Sequence, residues 1–266
     1  MGLPIGGNVF PNRVFHWITQ RRLLLTNIGQ LCYGDVCAAH PTKCSRGNGT
    51  SNVDDAHLET CTAVKEGDTT RRHRRLQDSL AAMLRAAGMR VALVDATEDY
   101  TTRALLARAG ATVQRTSGRV RGGDILVYGL DGLGPASTPT VIDLTVISER
   151  VTTNVRDEWP ARSAETRKVT KYVVMYDKIS YNFRGFAVEI GGRLGPAAEE
   201  LIGMAQKLWW ELKGKKAVPA GSNWTCPSFA SYWRQRMVGC VQGATGAMGV
   251  ARARRVAELR MTAGAA

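Results

Sequence analysis

"TPTVIDLTVIS" runs from Thr138 to Ser148, and the fold turns on how it is read. Val141, Ile142, Leu144, Val146 and Ile147 form an apolar, β-branched run of strand length, the pattern of a buried β-strand. Asp143 interrupts it. A carboxylate in such a strand is costly unless it is paired, hydrogen-bonded or bound to a metal. The placement of that one residue calls for a partner elsewhere in the chain.

The sequence upstream offers one. "GGDILVYG" (122–129) is a second apolar strand headed by Asp124, and the turn-rich "LDGLGPAST" joins the two as a hairpin. A hairpin brings Asp124 and Asp143 to one end or face of a sheet. Two converging carboxylates suit a hard cation, Mg²⁺ or Mn²⁺. Metal-dependent phosphodiester cleavage uses that arrangement. It also uses a lysine to stabilise developing negative charge or orient the attacking water. The usual place for it, two residues after the second carboxylate, holds Thr145. The following helix, "ARSAETRKVTKYVVMYDKI" (161–179), offers Lys168 and Lys171, and the sequence leaves open which one serves. The plainer readings are a turn or cap role for Asp124, an arginine-paired Asp143 and a solvated face for the lysines.

Other elements follow from periodicity. Leu76, Leu80, Met83, Leu84 and Ala87 mark a helix over 69–89, with Gly88 as its end signal. "RVALVD" (90–95) and "FRGFAVEIGG" (183–192) are strands, and "TTRALLARAG" (101–110) is a short helix. Glu189, inside the latter strand, is expected to support the fold. Pro196 opens a helix with Leu201, Ala205, Leu208 and Leu212 as its apolar stripe. The region 227–262 is expected to be helical. The sum is an α/β domain, a small mixed sheet flanked by helices.

The net charge of +13 points to a polyanionic partner, nucleic acid ahead of an acidic membrane. Neither a membrane-length apolar run nor a secretory signal is evident, so an intracellular, nuclear location is expected. Six cysteines in a reducing compartment argue against a disulfide framework. Four of them fall in residues 32–61. Cys32, Cys37, His57 and Cys61 are the expected ligands of a structural Zn²⁺, with Cys44 as the alternative. Free buried cysteines are the competing reading. Arg71, Arg72, His73, Arg74 and Arg75 in "RRHRR", with Arg234 and Arg236, are candidate nucleic-acid contacts. Trp209, Trp210, Trp224 and Trp233 are candidate stacking surfaces for unpaired bases, core packing being their commoner use.

The ordered series "HLETC", "RRHRRLQDSLAAML", "RGGDILV", "VIDLTVISE", "AETRKVTKYV", "FAVEIGGRLGPAAEELI" and "SFASYWRQRM" resembles the C-terminal region of non-LTR retrotransposons that carry a restriction-enzyme-like endonuclease of PD-(D/E)xK type. The resemblance spans roughly residues 15 to 255. It implies a zinc-knuckle-like module over 1–66, a restriction-endonuclease-like core over 67–215 and a basic helical extension over 216–266. It implies that Asp124 and Asp143 ligate Mg²⁺ and that Lys168 or Lys171 is a displaced catalytic lysine. Glu98 is a doubtful auxiliary acid, and His73 matches a recurrent histidine that orients the helix or binds phosphate. The implied activity is nicking of target DNA, with element RNA as a second nucleic-acid partner. This chain departs from the family in carrying Gly123 where proline usually precedes the first Asp. It also lacks a YxDD-type polymerase motif, so a reverse transcriptase would act in trans. The rivals are an inactive nucleic-acid-binding remnant, a stand-alone resolvase or repair nuclease, and a protein-interaction module.

Overall fold

The structure, a computed structural model, describes residues 68–94, 123–131, 138–148, 159–178 and 180–263, with only the helical backbone over 252–263. The expected Cys/His module with Cys32, Cys37, Cys44, His57 and Cys61 lies outside the described residues, as do Glu98 and the short helix over 101–110.

In chain order the elements are α1 (Asp68–Ala86), β1 (Arg90–Leu93), β2 (Ile125–Tyr128), β3 (Thr140–Ile147), α2 (Pro160–Asp177), β4 (Asn182–Glu189), α3 (Pro196–Lys213) and α4 (Phe229–Ala263). The strands form one mixed sheet in the order β1-β2-β3-β4. β2 is antiparallel to both β1 and β3, as the hairpin reading expects, and β4 runs parallel to β3. The parallel pair needs a crossover, and α2 supplies it.

Strand alternation divides the sheet into two faces. Ile125, Val127, Ile142, Leu144, Phe186 and Val188 pack against α1, α3 and the start of α4. Leu126, Val141 and Phe183 face the other way, against Tyr172 and Tyr176 of α2. Asp143 is two residues from Val141, so it shares the α2 face. The expected boundary at residue 216 does not divide the core. Phe229, Trp233, Met237 and Val241 of α4 bury in the same cluster as Leu76, Leu80 and Leu84 of α1.

α2 is held down by two buried carboxylates. Glu189 Oε1 on β4 accepts the Ala161 N–H at the start of α2, and its Oε2 pairs with Arg193. This is the fold-supporting role expected of Glu189. Glu165, one turn before Lys168, accepts three main-chain N–H groups. Ala187 and Ala198 donate to Oε1 at 3.1 and 3.0 Å, and Ala197 donates to Oε2 at 2.9 Å. Ala197 and Ala198 belong to the first turn of α3, where N–H groups have no intrahelical partner. Glu165 therefore caps α3 from a different helix. Burial still pushes its carboxyl above the usual range, against the pull of the Ala197, Ala187 and Ala198 donors.

Replacing Glu165 with Gln leaves one oxygen for three donors and turns an amide NH₂ toward an N–H. The expected result is a loss of about 1–3 kcal/mol in urea denaturation. An unchanged midpoint would show that these donors find other partners.

Candidate active site

Asp124 stands immediately before β2, and its backbone is fixed on three sides. Its N–H donates to Ile142 O at 2.8 Å, and its carbonyl accepts from Val94 N and from Gln77 Nε2 of α1. The carboxylates of Asp124 and Asp143 are then held reciprocally. Leu144 N–H, just after Asp143, donates to Asp124 Oδ2 at 2.6 Å. Gly123 N–H, just before Asp124, donates to Asp143 Oδ1 at 3.1 Å. Each acid is thus aimed by the main chain beside the other.

A cation flanks each acid. His73 Nε2 of α1 lies 2.9 Å from Asp124 Oδ1. Lys168 Nζ of α2 lies 2.5 Å from Asp143 Oδ2. The Lys168 ammonium thus closes on the buried oxygen of Asp143 as a tight charge pair. Asp143 is 5% exposed, whereas the Lys168 side chain keeps 31%. Lys171 is exposed instead, with its ammonium 4.9 Å from the centre of the Tyr172 ring. Of the two candidate lysines, the geometry brings Lys168 to the acids.

Gly185 explains how Lys168 reaches that far. It is the register partner of Asp143 on β4, and a Cβ there would lie 3.0 Å from Glu165 Cα and from Glu165 O. The missing side chain lets the α2 backbone sit almost on the sheet, and Lys168 follows one turn after Glu165.

The charges act on one another. Burial raises the pKa of Asp143, and the charge of Asp124 adds to the rise. Lys168 and the Gly123 N–H oppose it, without reversing it. For His73, burial acts to lower the pKa. The hydrogen bond and charge of Asp124, with the charge of Asp143, outweigh burial and the opposing charge of Lys168, so the net shift is upward.

A Mg²⁺ or Mn²⁺ ion fits this donor set. Asp143 Oδ2 is a buried carboxylate oxygen already turned to a cation, the ammonium of Lys168. Asp124 and Asp143 would hold the ion. No group of three or more His, Cys, Asp or Glu residues suited to a metal occurs among the described residues. The remaining positions would therefore fall to water and substrate oxygens, as Mg²⁺ tolerates.

The predicted phosphate contacts divide. Arg71, Arg74 and Arg75 are exposed on α1. Arg72 departs from expectation. It is 6% exposed and its Nη1 donates to Thr245 Oγ1 of α4, so it ties two helices together inside the protein. Arg234 meets both oxygens of Glu199 on α3. Arg236 donates to Tyr232 Oη at 3.0 Å and lies over the Trp233 ring. His73 contacts Asp124 rather than standing free for phosphate. Trp233 is buried and Trp209 partly buried against the core, whereas Trp224 is exposed.

Sequence reasoning missed Gly123, Leu144 and Glu165. The first two act through main-chain N–H groups, which carry no residue signal. Glu165 carried one, since an acid three residues before a candidate lysine lies on nearly the same helix face. Among the described residues no helix is long and apolar enough to cross a membrane. No protein-family model, curated protein or solved structure matches the chain.

Proposed function

We propose that this chain is the metal-dependent DNA endonuclease part of a retrotransposon-derived protein, with a restriction-endonuclease-like core of PD-(D/E)xK type. One observation carries the reading: an acid at the head of β2 and an acid within the adjacent β3, cross-tied by main-chain N–H groups, with a lysine from the crossover helix on the buried one. A core of apolar strands has no structural need for such a charge cluster, and perturbed buried acids concentrate at functional sites.

When bound, Mg²⁺ or Mn²⁺ supplies charge neutralisation at the scissile phosphate and activates the attacking water. The chain's own residues do the rest. Asp124 and Asp143 fix the position of the cation. His73, favoured in its charged form, holds Asp124 Oδ1 in place. Lys168 releases Asp143 Oδ2 and turns its ammonium toward the phosphate oxygens. The exposed Arg71, Arg74 and Arg75 lie on α1, the helix that delivers His73, and suit flanking phosphates. The Zn²⁺ module, the nuclear location and a reverse transcriptase in trans belong to the same reading and rest on the sequence.

The test is nicking of supercoiled plasmid with Mg²⁺, Mn²⁺ or chelator. Lys168→Ala should lower the nicking rate by about 10²–10³-fold, and Lys171→Ala by less than about threefold, as expected for a solvent-exposed side chain. Equal losses in the two variants would remove Lys168 from the chemistry. A second reading, an inactive nucleic-acid-binding remnant, is favoured by the Lys168–Asp143 pair itself, which neutralises the buried acid without a metal. Duplex binding without nicking under either metal would select it.

A further inference from the structure

Among the described residues Trp224 is the most exposed large apolar side chain, at 83%. It lies between α3 and α4 on a turn pinned at both of its neighbours. Asn223 Oδ1 accepts the Thr225 N–H at 2.9 Å and the Thr225 hydroxyl at 2.6 Å. Cys226 N–H donates to Asn223 O, and the Cys226 side chain is fully buried. Gln235 of α4 donates through Nε2 to Thr225 O at 2.6 Å. The indole is therefore displayed on a fixed base.

The rest of the segment is anchored too. Trp209 Nε1 of α3 donates to Ala217 O, and the Trp209 ring stacks on Phe229 of α4 at 5.1 Å. Ser222 N–H donates to Pro219 O. This cap carries exposed Lys213, Lys215 and Lys216, with no acid between Leu212 and Cys226. Leu212 and Val218 are exposed beside them, at 45% and 50%. Trp233 packs in the core, and Trp159 donates Nε1 to Leu194 O. Among the described residues the Trp224 indole has no hydrogen bond or ring contact of this kind.

An exposed aromatic face on an anchored turn, in a cap that carries three lysines and no acid, suits an unpaired base and its flanking phosphates. The anchored backbone of the turn also lowers the ordering cost of binding. In a duplex the base faces are covered, so such a platform selects single strands. A lipid surface fits less well, because an interfacial anchor presents the broad apolar face of a helix and residues 214–226 form no helix. We infer that the 212–226 cap binds single-stranded nucleic acid, with Trp224 stacked on a base and Lys213, Lys215 and Lys216 on phosphates. The inference rests on the proposed function for the class of partner and not for cleavage.

The test is fluorescence anisotropy without added Mg²⁺ or Mn²⁺, with labelled oligothymidylate of about 16 nucleotides and a duplex of equal length. Trp224→Ala should weaken single-strand binding by about 5- to 100-fold and duplex binding by less than about twofold. Trp224→Phe should keep most of the affinity, and an exposed position leaves both variants folded. Replacing all three lysines with Ala should flatten the log–log salt dependence for the single strand by up to about 2. Unchanged single-strand affinity in Trp224→Ala overturns the inference, as does an equal loss on single strand and duplex. Trp224-dependent binding to phosphatidylserine vesicles without an oligonucleotide effect overturns it in favour of a membrane. A Trp224 effect in a chain that never nicks plasmid leaves this surface standing and removes only the cleavage.

Discussion

Replacing Asp143 with Asn should abolish nicking and yet make the metal-free protein harder to unfold. The side chain is nearly isosteric, its Oδ1 still accepts the Gly123 N–H, and its amide NH₂ turns the Lys168 ammonium out toward solvent. What disappears is a buried negative charge that the fold holds at a cost. Burial and Asp124 raise the Asp143 pKa despite Lys168, so the folded state holds this proton more tightly than the unfolded chain does. The sign follows directly. Below the unfolded carboxylate range both states are protonated and nothing is lost. As pH rises from there through the raised folded pKa, the unfolded chain releases its proton first, and stability falls. The asparagine variant lacks this fall. Lys168 keeps 31% exposure and can rehydrate when its partner is removed. Thermal melts without added Mg²⁺ or Mn²⁺ at neutral pH should place the variant a few degrees above wild type, a shift of about the size that 1 kcal/mol produces. The plasmid assay should show a loss on the order of 10³-fold or more, because one of two ligands is gone.

His73 adds a slope of the same direction at higher pH. Its raised pKa means that its stabilising charge is fully present below the ordinary histidine value and is lost as pH rises through the folded one. The metal-free protein is therefore expected to be firmest in mild acid. An Asp143→Asn variant that melts below wild type without added Mg²⁺ or Mn²⁺ would show instead that the Lys168 pair stabilises the fold, which supports the inactive remnant. A variant that nicks at the wild-type rate would remove Asp143 from the chemistry.

The parts of this site that sequence made legible are those carried by periodicity and charge. The apolar run around Asp143 fixes β3, and a charge inside it marks a centre, because burial makes the residue expensive wherever it stands. The hairpin then brings Asp124 alongside. Choosing Lys168 over Lys171 needed the separation of α2 from the sheet, which Gly185 sets on β4, fourteen or more positions away in sequence. No local pattern carries that distance. Arg72 was readable and was missed: it falls four residues before Leu76 and eight before Leu80, on the buried stripe of α1. The charge run around it masked the stripe. The depth of α4 in the core was hidden for the opposite reason. Small and polar residues such as Gly239, Gln242 and Thr245 are mixed with its apolar ones, so its buried face has no clear outline in sequence.

Gly123→Pro should destabilise the protein severely, although it would restore the residue that the resembling family usually carries before its first acid. Gly123 has φ +109°, in the region that L side chains rarely adopt. Proline is fixed near −65°, so the turn into β2 would have to refold, at about 3 kcal/mol or more. Proline also has no N–H, and Asp143 Oδ1 would lose its main-chain donor, costing about 1–3 kcal/mol for a buried acceptor. The pivot of the turn is close to both acids, so nicking should fall with stability. Gly123→Ala separates the two effects. It keeps the N–H, but its Cβ would come 2.3 Å from Val141 Cγ1 and must still bear the positive φ. Urea denaturation should therefore rank wild type above Gly123→Ala and Gly123→Ala above Gly123→Pro. If the proline variant unfolds at the wild-type midpoint and still nicks, the backbone before Asp124 follows the proline geometry of the family, and the Gly123–Asp143 hydrogen bond plays no part in aiming the acid.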